Sequence, residues 1–367
     1  MAVVTYYVNA VNGNDTNNGS SDDGTVNTNA FKTISKAFST IASDSTDDVT
    51  INLAGTLASP MTYTETTSGN APTFLDLSSY EGKGSLTIMP ASFVQSLFMG
   101  GTYDPCDPTP LSPTLAFNPA GTKPCIIPSV KMGSGIQLVG VNVKAAATPV
   151  AKWGVLYQQA QGMLYHCRIE GHEIGLQGQM GCATLVMSSC FVANGIGASL
   201  QLGAIMALLG QNLFLDNVQG GIRARTGAAI AVGPAFDLGV FSNGLTQNPT
   251  IAALSLNPTE IRTTAPRDAY TAIELNLAAA LVLSTGGLDL SSLSSNLPSE
   301  IDGYLKIINA SGYDSGSYVG VSMDTLSFVL GGDNIIFYEN GINGGNPTIP
   351  EARQFVQREG RATVVVP

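Results

Sequence analysis

Cys167-Arg168-Ile169, Cys190-Phe191-Val192, Leu213-Phe214-Leu215 and Phe236-Asp237-Leu238 follow one another at a constant interval along the chain. Within the stretch from Tyr165 to Gly244, Ile169, Val192, Leu215 and Leu238 fall in one column, and Gly175, Ala198, Gly221 and Gly244 in another. A fixed period in the low twenties, with apolar residues two apart and small residues at the corners, means stacked strand-turn units. No such unit buries its apolar face alone, so each must lie on the next. Strands rise about 3.3 Å per residue, which leaves room in a coil of this length for two or three short strands with tight corners. The expected fold is therefore all-β, a parallel β-helix of about 23 residues per coil. Ile169, Val192, Leu215 and Leu238 would form one buried ladder, and Cys167 and Cys190 would pack inward as small apolar residues. A leucine-rich repeat has a similar period, but its spaced leucines and asparagine are missing.

Before the repeat, Tyr6-Tyr7-Val8-Asn9 reads as a strand, the Asn, Gly, Asp, Ser and Thr run to Asn29 as a loop, and Phe31 to Phe38 as a short helix. Phe31, Ile34, Phe38 and Ile41 share a face of that helix, with Thr28 or Asn29 as its cap. This opening, a Tyr-Val strand, an Asn-Gly-Asn-Asp loop and Phe-Lys-Thr-Ile leading a helix, resembles that of right-handed β-helix proteins of the pectate-lyase-like superfamily. The resemblance implies a right-handed solenoid whose open N-terminal end is plugged by the helix, and it says little about activity.

The chain divides accordingly into residues 1–48 (strand, polar loop and capping helix), 49–245 (β-helix), 246–267 (a linker marked by Asn248-Pro249, Asn257-Pro258 and Ala265-Pro266) and 268–367. Within the solenoid, residues 104–128 carry seven prolines and are expected to be a loop thrown out from the wall, with Cys106 and Cys125 placed to pair. Short strands after residue 268 suggest a small antiparallel sandwich, followed by a helix over 350–358 and a terminal apolar strand, Ala362 to Val366.

Charged residues make up only 12% of the 367, with a net charge of -11 and no basic cluster, so nucleic acid is excluded as an expected partner. No run of about 18 apolar residues is present to insert in a membrane, and the first residues lack the basic and apolar pattern of an export signal, which favours synthesis in the cytoplasm. A chain with so few charges avoids aggregation by closing its sheet edges or by burying surface in an oligomer.

Chemistry is thinly represented. Arg168-Ile169-Glu170-Gly171-His172-Glu173 is the one dense polar group, and the 23-residue register sets Asp216 two coils from Glu170, roughly 10 Å away. That exceeds the usual carboxylate separation of an inverting glycosidase. Polygalacturonase-like β-helices carry paired aspartates, Gly-His-Gly and Arg-x-Lys; here Gly171-His172 lacks the second glycine and Arg223-Ala224-Arg225 matches only loosely. Glu170, His172, Glu173 and Asp216 read as solvated corner residues, and Arg223 and Arg225 as surface residues paired with nearby acids. Trp153 reads as a wall residue with a sugar platform as the alternative. Asn12 to Asn18, with Asp15, Asp22 and Asp23, reads as a turn-rich loop with a calcium loop as the alternative. No catalytic, cofactor-binding or metal-binding residue is assigned, and no cofactor is expected.

The functional expectation is a non-enzymatic structural and adhesive protein, a homo-oligomer with a trimer favoured, on the surface of a virion such as a phage. Its partners would be other virion proteins and host or environmental glycans. Two alternatives stand beside it: a secreted polysaccharide lyase or glycoside hydrolase using Glu170, Glu173, Asp216 and Arg223, and a bacterial surface or filament spacer.

Overall fold

The computed structural model describes residues 2–25, 28–55, 59, 61–64, 75–91, 114–117, 126–127, 135–145, 153–209, 212–233, 259–262, 270–283, 305–309, 318–323, 326–330, 335–339, 356–358 and 363–365. Its strands form three sheets. Sheet A orders β1 (Val3–Val8), β2 (Asp48–Leu53), β5 (Ser85–Pro90), β8 (Gly135–Val139), β11 (Gln161–Tyr165), β14 (Ala183–Met187), β17 (Ile205–Leu209), β20 (Ala229–Gly233), β23 (Ala280–Leu283), β26 (Phe328–Leu330) and β29 (Thr363–Val365). Sheet B orders β3 (Thr62–Tyr63), β6 (Thr114–Phe117), β9 (Asn142–Ala145), β12 (Arg168–Glu170), β15 (Cys190–Val192), β18 (Leu213–Leu215), β21 (Thr259–Arg262), β24 (Leu305–Asn309) and β27 (Ile335–Glu339). Sheet C orders β4 (Leu75–Asp76), β7 (Ile126–Ile127), β10 (Trp153–Gln158), β13 (Ile174–Gln179), β16 (Ile196–Leu200), β19 (Gly220–Arg225), β22 (Tyr270–Asn276), β25 (Tyr318–Met323) and β28 (Val356–Arg358). The chain visits A, B and C in turn, and the paired strands are parallel, an all-β arrangement consistent with a parallel β-helix.

The register corrects the evenly spaced columns. Ile169 pairs with Phe191, Phe191 with Phe214 and Phe214 with Ile261, so the step from Ile169 to Phe191 is one residue shorter than the step from Phe191 to Phe214. The interior ladder on sheet B is Val143, Ile169, Phe191, Phe214 and Ile261, each fully buried, with the rings of Phe191 and Phe214 stacked at 4.7 Å. Val192 and Leu215 face outward instead and pack with Cys190 and Leu213 in a separate apolar cluster. Cys190, expected inside, belongs to that outer cluster and is disulfide-bonded, whereas Cys167 and Cys182 are free and buried. Likewise the small-residue column is Gly175, Gly197 and Gly221, not Ala198. A Cβ at Gly197 would stand 2.5 Å from the Phe214 ring, so the large inward residue demands the glycine beside it. Phe236, Leu238 and Gly244 lie outside the described residues, as do Cys106 and Cys125.

Three corners per coil turn the chain through backbone with positive φ. Gly140, His166 and Ser188 do so between sheets A and B, and Gly171, Ala193 and Asp216 between B and C. From C to A the turn takes one left-handed residue at Gln159 and two at Met180-Gly181, Leu202-Gly203, Thr226-Gly227 and Leu277-Ala278.

At the N-terminus, α1 (Ile34–Ser39) buries Ile34 and Ala37 in the core against the first strands. Its cap is Thr33, whose hydroxyl accepts from Lys36 N–H, rather than Thr28 or Asn29. Phe31 precedes the helix and bridges Val8 in the parallel sense, which is why the apolar face is continuous although the helix starts later than expected, at Ile34.

The remaining segments differ more. Residues 104–128, expected as a loop, contain β6 and β7, because the proline-free runs Thr114–Phe117 and Ile126–Ile127 are long enough to pair with β9 and β10. The expected linker over 246–267 contains β21, which pairs with β18. Beyond residue 268 the strands continue sheets A, B and C in parallel, where an antiparallel sandwich was expected. Residues 356–358, read as helix, form β28, and Thr363–Val365 completes the chain's own sheet A beside β26.

Candidate interaction face

The polar cluster of the sequence is dispersed by the register. Glu170 pairs in the sheet with Lys144 and Val192, while Asp216 occupies the corner column of Gly171 and Ala193, one residue out of line with it. The Glu170 carboxylate receives Lys144 Nζ at 2.6 Å and Arg168 Nε at 2.5 Å on the outer face of sheet B. Partial burial pushes its pKa up, but the Lys144 and Arg168 contacts outweigh this and hold it below the ordinary glutamate value, the opposite of what a general acid needs. On sheet C, Glu274 joins Arg223 and Arg225, at 2.5 and 2.6 Å, so the pairing expected for the two arginines is observed. Glu173 is exposed at the corner before β13.

His172 is not a solvated corner residue. It is 1% exposed, and its Nε2 stands 3.2 Å from the Val143 carbonyl, which only accepts, so Nε2 carries the proton. Asn194 and Asn217 follow in the same column, donating through Nδ2 to the Ile169 and Phe191 carbonyls, and each accepts on Oδ1 the backbone N–H of the residue one coil earlier, His172 and Asn194. His172 thus fills an asparagine's place. Burial lowers its pKa to about 4, and that of buried His166, in the preceding corner, to about 3. Both stay neutral when folded but take up protons near pH 6.5 when unfolded, so their contribution is fully present above pH 6.5 and is lost as pH falls through 4. His172→Asn keeps the carbonyl bond and removes one of these groups. It should therefore flatten the loss of stability between pH 6.5 and 4, by roughly 1.4 kcal/mol per pH unit by which the His172 value is depressed, as read from urea unfolding along a pH series.

The N-terminal loop uses its own acids. Asp15 accepts the Lys32 and Thr33 N–H groups and the Thr33 hydroxyl, fastening the start of α1, and Asp22 accepts from Asn9, Gly24 and Thr28. Among the described residues no group of three or more His, Cys, Asp or Glu is placed to hold a metal. Trp153 is half-buried at the start of β10, as a wall residue.

The surface that stands apart is the outer face of sheet A. From β8 to β23 its six strands contain no charged residue, in contrast to Lys144, Arg168 and Glu170 on sheet B and Arg223, Arg225 and Glu274 on sheet C. Val139, Met163, Tyr165 and Met187 form an apolar cluster along one side of this face, with Leu185 and Leu209 packed against it. Toward the C-to-A corner the face opens into a shallow groove of about 330 Å³, lined by Gln137, Gln161, Met163, Leu185, Ile205 and Ala207 among others. Compared with known proteins, the chain matches no family model, no curated protein and no solved structure.

Sequence reading passed over this face although its signal is present. In Gln161–Tyr165, Ala183–Met187 and Ile205–Leu209 the residues of both parities are largely apolar, and in a parallel strand that pattern means both sides are meant to be covered. Part of that outer layer is already covered within the chain, Val139, Met163, Tyr165 and Met187 being buried, and Leu185, Ile205 and Ala207 are its more open part.

Proposed function

We propose that the protein is a structural and adhesive β-helix that assembles, as a trimer, on the outside of a virus particle such as a tailed phage. In this reading the solenoid winds right-handed, α1 closes its first coil, and the outer face of sheet A meets a neighbouring subunit. The single observation that supports it most is that uncharged face, six strands long on a chain whose other two outer faces carry ion pairs. The part of it that stays open, around Leu185, Ile205 and Ala207, is apolar and uncharged, as an interaction surface is. The pairing of Glu170 and Arg223 with neighbouring charges favours a structural role for residues that the carbohydrate-cleaving alternative would need available.

Light scattering of the purified protein should give three times the 38.0 kDa chain. Leu185→Lys, on the half-buried outer side of β14, should release folded monomers with an unchanged far-UV spectrum. A parent protein that is monomeric at all concentrations sinks the assembly reading. Depolymerisation of an acidic polysaccharide by the parent, lost on changing Glu170 and Asp216 to alanine, would replace it with the enzyme reading.

A further inference from the structure

Among the described cysteines Cys190 is disulfide-bonded, whereas Cys167 and Cys182 carry free thiols. The chain has five cysteines, so the sulfur joined to Cys190 belongs to Cys106 or Cys125. Register separates the two. Cys125 is held by its neighbour Ile126, which pairs with Val155; Val155 pairs with Leu176, and Leu176 with Ala198 in the coil that carries Cys190. Three steps of about 4.8 Å put Ile126 roughly 14 Å from that coil along the axis, and one residue recovers at most about 3.8 Å. Cys125 therefore remains roughly 10 Å away, whereas the α-carbons of a disulfide stand about 4.4 to 6.8 Å apart. Cys106 is under no such restraint. Thr114, Asn142, Arg168 and Cys190 are register partners on successive strands of sheet B, and the roughly eight residues from Cys106 to Thr114 reach up to about 26 Å, enough to cross those steps.

Burial marks the same path. Cys190 is fully buried although it belongs to the outer cluster of sheet B, and Asn142, in the same column, is 3% exposed. Arg168 between them keeps 11% of its side-chain surface, while Lys144, two residues on from Asn142, keeps 52%. An outer column closed from β9 to β15, beside more open neighbours, is the pattern left by a segment lying along it. We infer that Cys190 is joined to Cys106, a clasp across successive coils of sheet B that closes once the chain meets an oxidising environment.

The two thiols give up two protons and two electrons as the S–S bond forms, and a small disulfide such as oxidised glutathione takes them up as it parts into two thiols. Cys167 and Cys182 do not compete. Burial pushes the Cys167 thiol up to about 12 and raises that of Cys182, so neither supplies the thiolate that exchange needs. The clasp closes a loop of roughly 80 residues, β6 to β14 included, and so restrains the unfolded chain. It takes the place of the Cys106–Cys125 pair suggested by the sequence and leaves Cys125 as a thiol. Because it lies within one chain, it holds whatever the state of assembly.

Peptide mapping tests the clasp on the full chain, folded in oxidised glutathione and then blocked with N-ethylmaleimide in acidic denaturant. The expected result is one linked pair of peptides, Cys106 to Cys190, lost on reduction, with the label on Cys125, Cys167 and Cys182. A link from Cys125 to either Cys106 or Cys190, or label on Cys190, overturns it. As a second readout, dithiothreitol should lower the urea midpoint of the parent and of Cys125→Ser, and should leave that of Cys106→Ser, already lowered, unmoved. A Cys106→Ser midpoint that still falls on reduction, or a parent midpoint that does not, overturns the clasp.

Discussion

Phe214→Ala should destabilise the protein by about 3 to 5 kcal/mol, the ordinary cost of truncating a fully buried aromatic residue. Its ring lies 4.7 Å from that of Phe191 with the planes 7° apart, and Gly197 leaves no side chain that could move in to fill the space. Loss of the stacked pair adds about 1 kcal/mol beyond buried area. In a solenoid each coil contacts only its neighbours, so the damage should be concentrated in β15, β18 and β21 and appear as early exchange of their amide hydrogens. Leu215→Asp, one residue on, is the control: Leu215 is half-buried and outside the main core, and its replacement should leave a soluble protein. Equal loss in both variants by chemical denaturation would mean that the interior column has been misassigned.

Asn194→Leu should be nearly as costly although it conserves volume. The Asn194 side chain accepts the His172 N–H at 3.0 Å and donates to the Ile169 carbonyl at 3.0 Å and to Asn217 Oδ1 at 3.1 Å, all in the interior. Leucine leaves a buried N–H and a buried C=O without these partners, at about 1 to 3 kcal/mol each. Urea unfolding should therefore show a loss of several kcal/mol, and Val192→Leu, on the outer side of the same coil, should show little. A loss under about 1 kcal/mol in Asn194→Leu would indicate that the corner column is incidental to stability.

The period was legible because Phe214 really does follow Phe191 at the interval of the repeat, one coil on in the same ladder. The parity was not, because the preceding step, from Ile169 to Phe191, is one residue shorter, and because Cys190, Val192, Leu213 and Leu215 are as apolar outside as Ile169, Phe191 and Phe214 are inside. With both faces apolar, alternation no longer tells the two apart. The later coils were hidden by distance: Phe214 pairs with Ile261 across a long intervening segment, and a strand as short as Thr259–Arg262 carries nothing local that separates a parallel partner from an antiparallel one. Among the polar residues, the arginine pairing was readable from composition, but the place of His172 was not. It becomes plain only when His172, Asn194 and Asn217 are aligned at their two unequal steps, which the assumed constant period prevented.

The corner column of His172, Asn194 and Asn217 also has a direction. Each side chain donates to a carbonyl of the coil that precedes it in sequence, at Val143, Ile169 and Phe191, and its oxygen, in the two asparagines, receives an N–H from that earlier coil as well. A newly made coil is thus latched by its own asparagine onto a coil already finished, while its own corner N–H, and at Asn194 the second Nδ2 hydrogen, waits for the asparagine of the coil that follows. Growth on the ribosome can proceed one latch at a time from the N-terminal end, and truncation after any latch leaves the coils beneath it with their corner bonds complete.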